Sequence, residues 1–177
     1  MIAPLNDIIK SGGYFCGGFV RDYLIRGESF NDIDFCFAGN LPNPYASWPL
    51  IRTQIGRETA EAHIDGMKYH CVNLEAIDLT CNLFCFDGMK VYPRPCFQYR
   101  DKPVDYCRAW EMILEKKFVM QVPAIKNVRL RAKLTKRGWI DCGIDLTIKK
   151  IAIPPPYGPW SDFREAKERF DSLTQAN

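Results

Sequence analysis

The chain has 177 residues, 24 Lys+Arg against 21 Asp+Glu, and 47% hydrophobic and 13% aromatic residues. These values exclude a disordered tail, a collagen-like rod and a coiled coil, and the length fits one domain with an appendage. Uncharged runs such as 79–86 fall far short of the ~20 apolar residues that cross a bilayer. The first residues also lack the basic and apolar regions of a secretory leader, so a cytoplasmic protein with no membrane partner is expected.

In chain order, residues 5–10 predict a short helix stopped by Gly12-Gly13, and 14–16 a buried strand broken by Gly17-Gly18. Residues 19–26 predict a helix with Val20, Tyr23 and Leu24 on one face and Gly27 as its left-handed cap. Strand residues fill 30–37, a Gly/Asn/Pro loop covers 39–44, and 49–56 predict a short helix with Leu50, Ile51 and Ile55 inward. Strands follow at 60–64, 68–74, 76–86 and 89–92, with turns at Asp65-Gly66 and Asp87-Gly88. Pro103 opens a helix in which Val104, Cys107, Trp110, Leu114 and Phe118 keep a three-and-four spacing, and another helix falls near 125–138. Three prolines at 154–156 form a stiff linker. Behind them Ser161 opens a last helix striped by Phe163, Ala166, Phe170 and Leu173. The predicted fold class is α/β (α+β): a mixed sheet with flanking helices over residues 1–100, then a short helical and basic part over 101–177.

The eight cysteines (Cys16, Cys36, Cys71, Cys81, Cys85, Cys96, Cys107 and Cys142) contain no Cys-x-x-Cys pair and lie mostly in apolar runs. They read as reduced, buried small hydrophobes, and no disulfide-linked partner is expected. A zinc set drawn from Cys81, Cys85, Cys96 and His63 or His70 matches no common ligand spacing. Residues 1–100 are slightly acidic and 101–177 basic, with eight cations against Asp141 and Asp145 in residues 126–150. That asymmetry fits a metal site beside a polyanion-binding surface.

The informative stretch is Gly17-Gly18-Phe19-Val20-Arg21-Asp22, then Gly27, then Asp32-Ile33-Asp34. A strand that ends in two glycines and enters a helix offers backbone N–H groups and a helix dipole to a phosphate. Arg21 can add a bidentate contact. Asp32 and Asp34 share one face of a strand about 6.5–7 Å apart. On an otherwise apolar strand they repel each other unless water or a cation intervenes. Mg²⁺ suits such a pair because it takes one or two carboxylates and fills its shell with substrate phosphates. A third carboxylate is expected from a neighbouring strand, with Asp78 favoured over Glu75 because it lies inside the 76–80 run. His63 and His70 read as strand-edge residues rather than ligands or bases. Trp139 and Tyr157 flank basic residues where a base could stack.

These residues resemble the signature of the polymerase-β-type nucleotidyltransferases, closest to the head domain of class II CCA-adding enzymes and poly(A) polymerases. Asp78-Leu79-Thr80-Cys81-Asn82 is similar to a later segment of that branch, and Asp105–Ala109 with Lys117-Phe118 to its first neck helix. The likeness spans roughly residues 10–120. It implies Gly17, Gly18, Arg21, Asp22 and Arg108 as nucleotide-binding residues, with Arg21 and Asp22 also holding the loop, and Asp32, Asp34 and Asp78 as catalytic metal ligands. It further implies Mg²⁺, an NTP substrate and an RNA acceptor, tRNA included; the charge asymmetry, not the resemblance, places that RNA along Lys126, Arg129, Arg131, Lys133, Lys136 and Arg137. No Glu-Asp-x-x-Arg run follows, so selection of C and A is not implied. Short members of the superfamily occur among phage, viral and toxin–antitoxin proteins. Two alternatives therefore remain: nucleotidylation of a protein side chain, and a degenerate fold that binds RNA or protein.

Overall fold

Glycines on either side of a short apolar run set the first strand. In the computed structural model, which describes residues 3–37, 50–52, 58–72, 80–98, 105–120, 128–144 and 150–175, helix α1 (Ala3–Lys10) buries Leu5 and Ile8. It ends as Gly12 takes φ +79°, and β1 (Gly13–Cys16) follows, buried throughout. The chain then winds into a π-helix (Phe19–Ile25), a wide form found often at functional sites. It leaves that helix through Gly27 at φ +71°, as a left-handed cap.

Strand β2 (Asp32–Phe37) returns antiparallel to β1, pairing Cys16 with Asp34 and Phe15 with Phe35. Its other edge takes β5 (Met67–Cys71) in parallel, with Asp34 opposite His70 and Asp32 opposite Lys68. β4 (Glu58–Ile64) forms a hairpin with β5 through Asp65-Gly66, both at positive φ as a tight hairpin turn requires. β3 (Leu50–Arg52) adds to β4, while β6 (Phe84–Phe86) and β7 (Val91–Pro93) extend the sheet beyond β1. The order is β3-β4-β5-β2-β1-β6-β7, a mixed sheet in an α+β fold. Helix α4 (Glu165–Gln175) inserts Phe170 against Phe15 and Phe86, at ring separations of 5.6 and 5.2 Å. Arg169 donates to the carbonyls of Leu24 and Ile25 at 2.6 and 2.9 Å, satisfying the C-terminal end of the π-helix.

By contacts the chain divides into one unit of Met1–Leu74, Cys85–Val91 and Phe163–Asn177, and another of Glu75–Phe84 and Tyr92–Asp162. This division is interleaved where the sequence reading places a single boundary at residue 100. In the second unit α2 (Tyr106–Leu114) is capped by Asp105, whose carboxylate accepts from the Arg108 backbone N–H at 2.9 Å. β9 (Lys117–Met120) and β10 (Ile140–Ile144) pair in parallel around α3 (Val128–Lys136), a β-α-β unit. β8 (Cys96–Gln98) pairs antiparallel with β11 (Lys150–Ala152). Phe84, Trp110 and Trp160 meet edge-on or tilted in the core of this unit.

Several expectations are corrected. Residues 50–52 are strand rather than helix, held by pairing with β4. The helix opened near Pro103 ends at Leu114 because Lys116 turns the chain at φ +59°, and Phe118 is a buried strand residue. Of the strand expected over 76–86, residues 76–79 lie outside the described residues, Thr80–Asn82 is a 3-10 turn and Phe84–Phe86 is strand. The last helix begins at Glu165; Ser161 instead accepts from Gly158 N–H at 3.0 Å in the preceding turn. Among the described residues no helix is long and apolar enough to cross a membrane.

Candidate functional site

The site is built where β1 ends beside β2. Because Cys16 pairs with Asp34, residue 17 leaves the sheet next to that aspartate. Gly17 does so at φ +63°, and a Cβ there would overlap Asp34 Oδ2 and lie 3.2 Å from Asp34 Cγ. Only glycine meets both conditions. Gly18 is right-handed (φ −63°, ψ −37°), with room for a Cβ 3.4 Å from Asp22 Oδ2 and 3.6 Å from an Arg21 guanidinium nitrogen.

Asp32 and Asp34 are half-buried on one face of β2, whereas Ile33 and Phe35 are buried on the other. The polar face continues onto β5 and β4. His70 Nδ1 lies 3.3 Å from Asp34 Oδ1, as an ion pair when the ring is charged. Lys68, in register with Asp32, is bonded to Glu61, which holds that carboxyl below its usual range. A phosphate received by the N–H groups of the glycine turn would sit beside the Asp34 carboxylate. That arrangement repels itself unless a cation lies between the two charges.

Of the two roles expected of Arg21 and Asp22, holding the nucleotide and holding the loop, the side-chain contacts are those of the second. Arg21 is 4% exposed and forks onto Asp22, itself 0% exposed, through Nε–Oδ1 at 2.8 Å and a second nitrogen to Oδ2 at 2.7 Å. A fully buried carboxylate requires a counter-charge, and the adjacent guanidinium supplies it. The pair underlies Gly18 and braces the turn from within.

Among the described residues no group of three or more His, Cys, Asp or Glu is placed to hold a metal ion. The two aspartates on one face nevertheless fit Mg²⁺ that shares its shell with substrate phosphates, which needs only one or two protein carboxylates. The described strands beside β2 offer His70, Lys68 and Cys16 at these positions rather than a further acid. Asp78, its alternative Glu75, and Lys126 lie outside the described residues.

The other predicted residues belong to the second unit. Arg108 is exposed on α2 and donates to Glu111 at 2.9 Å. On α3, Arg129, Lys133 and Lys136 are exposed at i, i+4 and i+7, forming one basic stripe. Arg137 is half-buried, and Arg131 donates from Nε to Asp141 at 2.6 Å, tying α3 to β10. Trp139 is only 2% exposed and so cannot stack a base, whereas Tyr157 is 81% exposed. The thiols of Cys16, Cys36, Cys71, Cys81 and Cys85 are reduced and buried, as expected, whereas those of Cys107 and Cys142 are reduced but exposed.

His70, read from the sequence as a strand-edge residue rather than a ligand or base, is the neighbour of Asp34 that the sequence did not announce. The alternation of Lys68 and His70 with Tyr69 and Cys71 marks a polar face on β5. Nothing local in the sequence says that this face continues the Asp32–Asp34 face. Comparison of the chain with protein-family models and with curated proteins finds no match.

Proposed function

We propose that the protein transfers a nucleotidyl group from an NTP to the 3′-hydroxyl of an RNA, releasing pyrophosphate. The observation that carries this reading is the contact of the Gly17 turn with Asp34, two residues from Asp32 on the same strand face. A phosphate-accepting backbone corner and a cation-seeking acidic pair thereby adjoin each other. Asp32 and Asp34 would hold Mg²⁺, with Asp78 as the expected third ligand; the ion, when bound, supplies neutralising charge to the triphosphate and the leaving pyrophosphate. The Gly17 and Gly18 N–H groups bind the phosphates, and Arg21 with Asp22 keeps that turn in shape from below. The Arg129–Lys133–Lys136 stripe binds the RNA backbone.

The test is incubation of each labelled NTP with total RNA and Mg²⁺. Incorporation into RNA is expected for the native protein and none for Asp32→Ala/Asp34→Ala, whose melting temperature equals or exceeds the native value because two like charges are gone. Retained incorporation in the double variant refutes the proposal. Burial of Arg21 against Asp22 favours a second reading, a fold that binds RNA without turnover. Its signature is salt-sensitive RNA binding with no pyrophosphate release.

A further inference from the structure

Asp34 is the most constrained carboxylate of the acidic pair. Its Oδ2 faces the Gly17 backbone, and its Oδ1 faces His70 Nδ1 at 3.3 Å across the parallel β2–β5 pairing. The two side chains are similarly half-buried, at 23% and 22%. On its far side His70 stands in register with Glu61 of β4, itself engaged by Lys68 and by His63. Asp34, His70 and Glu61 thus stand in one row across three strands, and the ring's Nδ1 faces Asp34 while the Glu61 carboxylate is taken by Lys68 and His63. Rotation of the Asp34 carboxylate is limited on one side by backbone and on the other by this ring.

We propose that His70 is a positioning residue: its Nδ1–H holds Asp34 Oδ1, fixing the carboxylate plane so that the remaining lone pairs face the cation and nucleotide. The proposal deepens the nucleotidyl-transfer reading and rests on it for the identity of the bound groups. Groups that orient a ligating side chain typically change metal affinity 10–100-fold when removed. An asparagine reproduces a donor at the Nδ1 position, whereas a glutamine places its donor where Nε2 lies. Asn against Gln therefore separates orientation of Asp34 from mere filling of space.

The experiment uses the full chain and Mn²⁺ alone as probe, with free Mn²⁺ counted by its paramagnetic resonance, alongside NTP incorporation and melting temperature. His70→Ala and His70→Gln are expected to weaken Mn²⁺ binding about tenfold or more and to lower kcat with little change in KM for the NTP. His70→Asn is expected to restore most of both. If Ala lowers the melting temperature too far to assay, Asn against Gln decides on its own. Mn²⁺ affinity in His70→Ala or His70→Gln within twofold of the native value overturns the positioning role. Native protein that binds no Mn²⁺ overturns both the positioning role and the reading beneath it. Binding that is native in His70→Asn, weakened in His70→Gln and unaccompanied by incorporation upholds the positioning of Asp34 while refuting nucleotidyl transfer.

Discussion

Gly17→Ala tests the corner with least ambiguity, because the structure supplies its own control. At φ +63° an alanine costs about 1–2 kcal/mol in backbone strain. Its Cβ also overlaps Asp34 Oδ2, and pushing that side chain off its rotamer adds about 0.5–1.5 kcal/mol. The expected loss is their sum, about 1.5–3.5 kcal/mol. Gly12 has φ +79° and nothing within 4 Å of its Cβ position, so Gly12→Ala carries only the strain, about 1–2 kcal/mol. Gly18→Ala, right-handed and with ordinary space at 3.4 Å, is expected to be near neutral for folding. The activity contrast is larger than the stability contrast, since a group displaced by about 1 Å can cost about 10²-fold in rate. Urea unfolding and NTP incorporation measured side by side should give Gly17→Ala the greater loss in both, with Gly12→Ala fully active. Equal behaviour of the two variants would refute the claim that Gly17 exists to seat Asp34.

Arg169→Met removes the donor shared by the Leu24 and Ile25 carbonyls, and charged hydrogen bonds of this kind contribute about 1.5–3 kcal/mol. Urea unfolding should show a loss of about 2–3 kcal/mol that Lys, with no planar fork, does not fully restore. Hydrogen bonding to Cys36 and burial raise the Cys16 thiol well above its ordinary value; burial, with Cys36 nearby, pushes Cys71 up to about 12. A raised thiol pKa leaves little thiolate at pH 8, so iodoacetamide on the native protein should modify exposed Cys107 and Cys142 and spare Cys16 and Cys71, read by peptide mass mapping. Replacing Arg129, Lys133 and Lys136 together by alanine should weaken RNA binding regardless of sequence. It should also reduce the slope of log affinity against log salt by about 2 units, from about 0.7 for each of three phosphate contacts.

The parts of the fold legible in the sequence are those with strong local chemistry. The Gly12-Gly13 and Gly17-Gly18 pairs bracket β1, Gly27 closes the helix after it, and Asp65-Gly66 joins β4 to β5. What stayed hidden depends on distant partners. β3 is a three-residue strand identified only by its pairing with β4, and β9 and β10 pair in parallel across α3. Phe118 fits the spacing of α2 equally well as a continuation, and Glu115-Lys116-Lys117 contains no helix breaker to stop it. The site divides the same way. Alternation along β2 suffices to put Asp32 and Asp34 on one face, but the nearness of His70 follows from a pairing that spans 36 residues. The inward turn of Arg21 follows from the burial of Asp22, which an Arg-Asp dipeptide does not announce.

The distance along the chain between the glycine pair and the aspartates is a consequence of register. Phe15 pairs with Phe35, and the rings of Phe19 and Phe170 pack on Phe15 on the side away from Asp34. Sliding β2 by one residue would turn Asp32 and Asp34 into that aromatic layer and bring Ile33 or Phe35 to the glycine corner. Burying two unpaired carboxylates costs several kcal/mol each, far more than an edge-on ring contact of about 0.5–1.5 kcal/mol could offset. The aromatic packing behind the sheet therefore selects the one alignment in which Asp34 meets Gly17. Within this unit the register that completes the hydrophobic core is the same register that assembles the acidic corner, so neither can be shifted without dismantling the other.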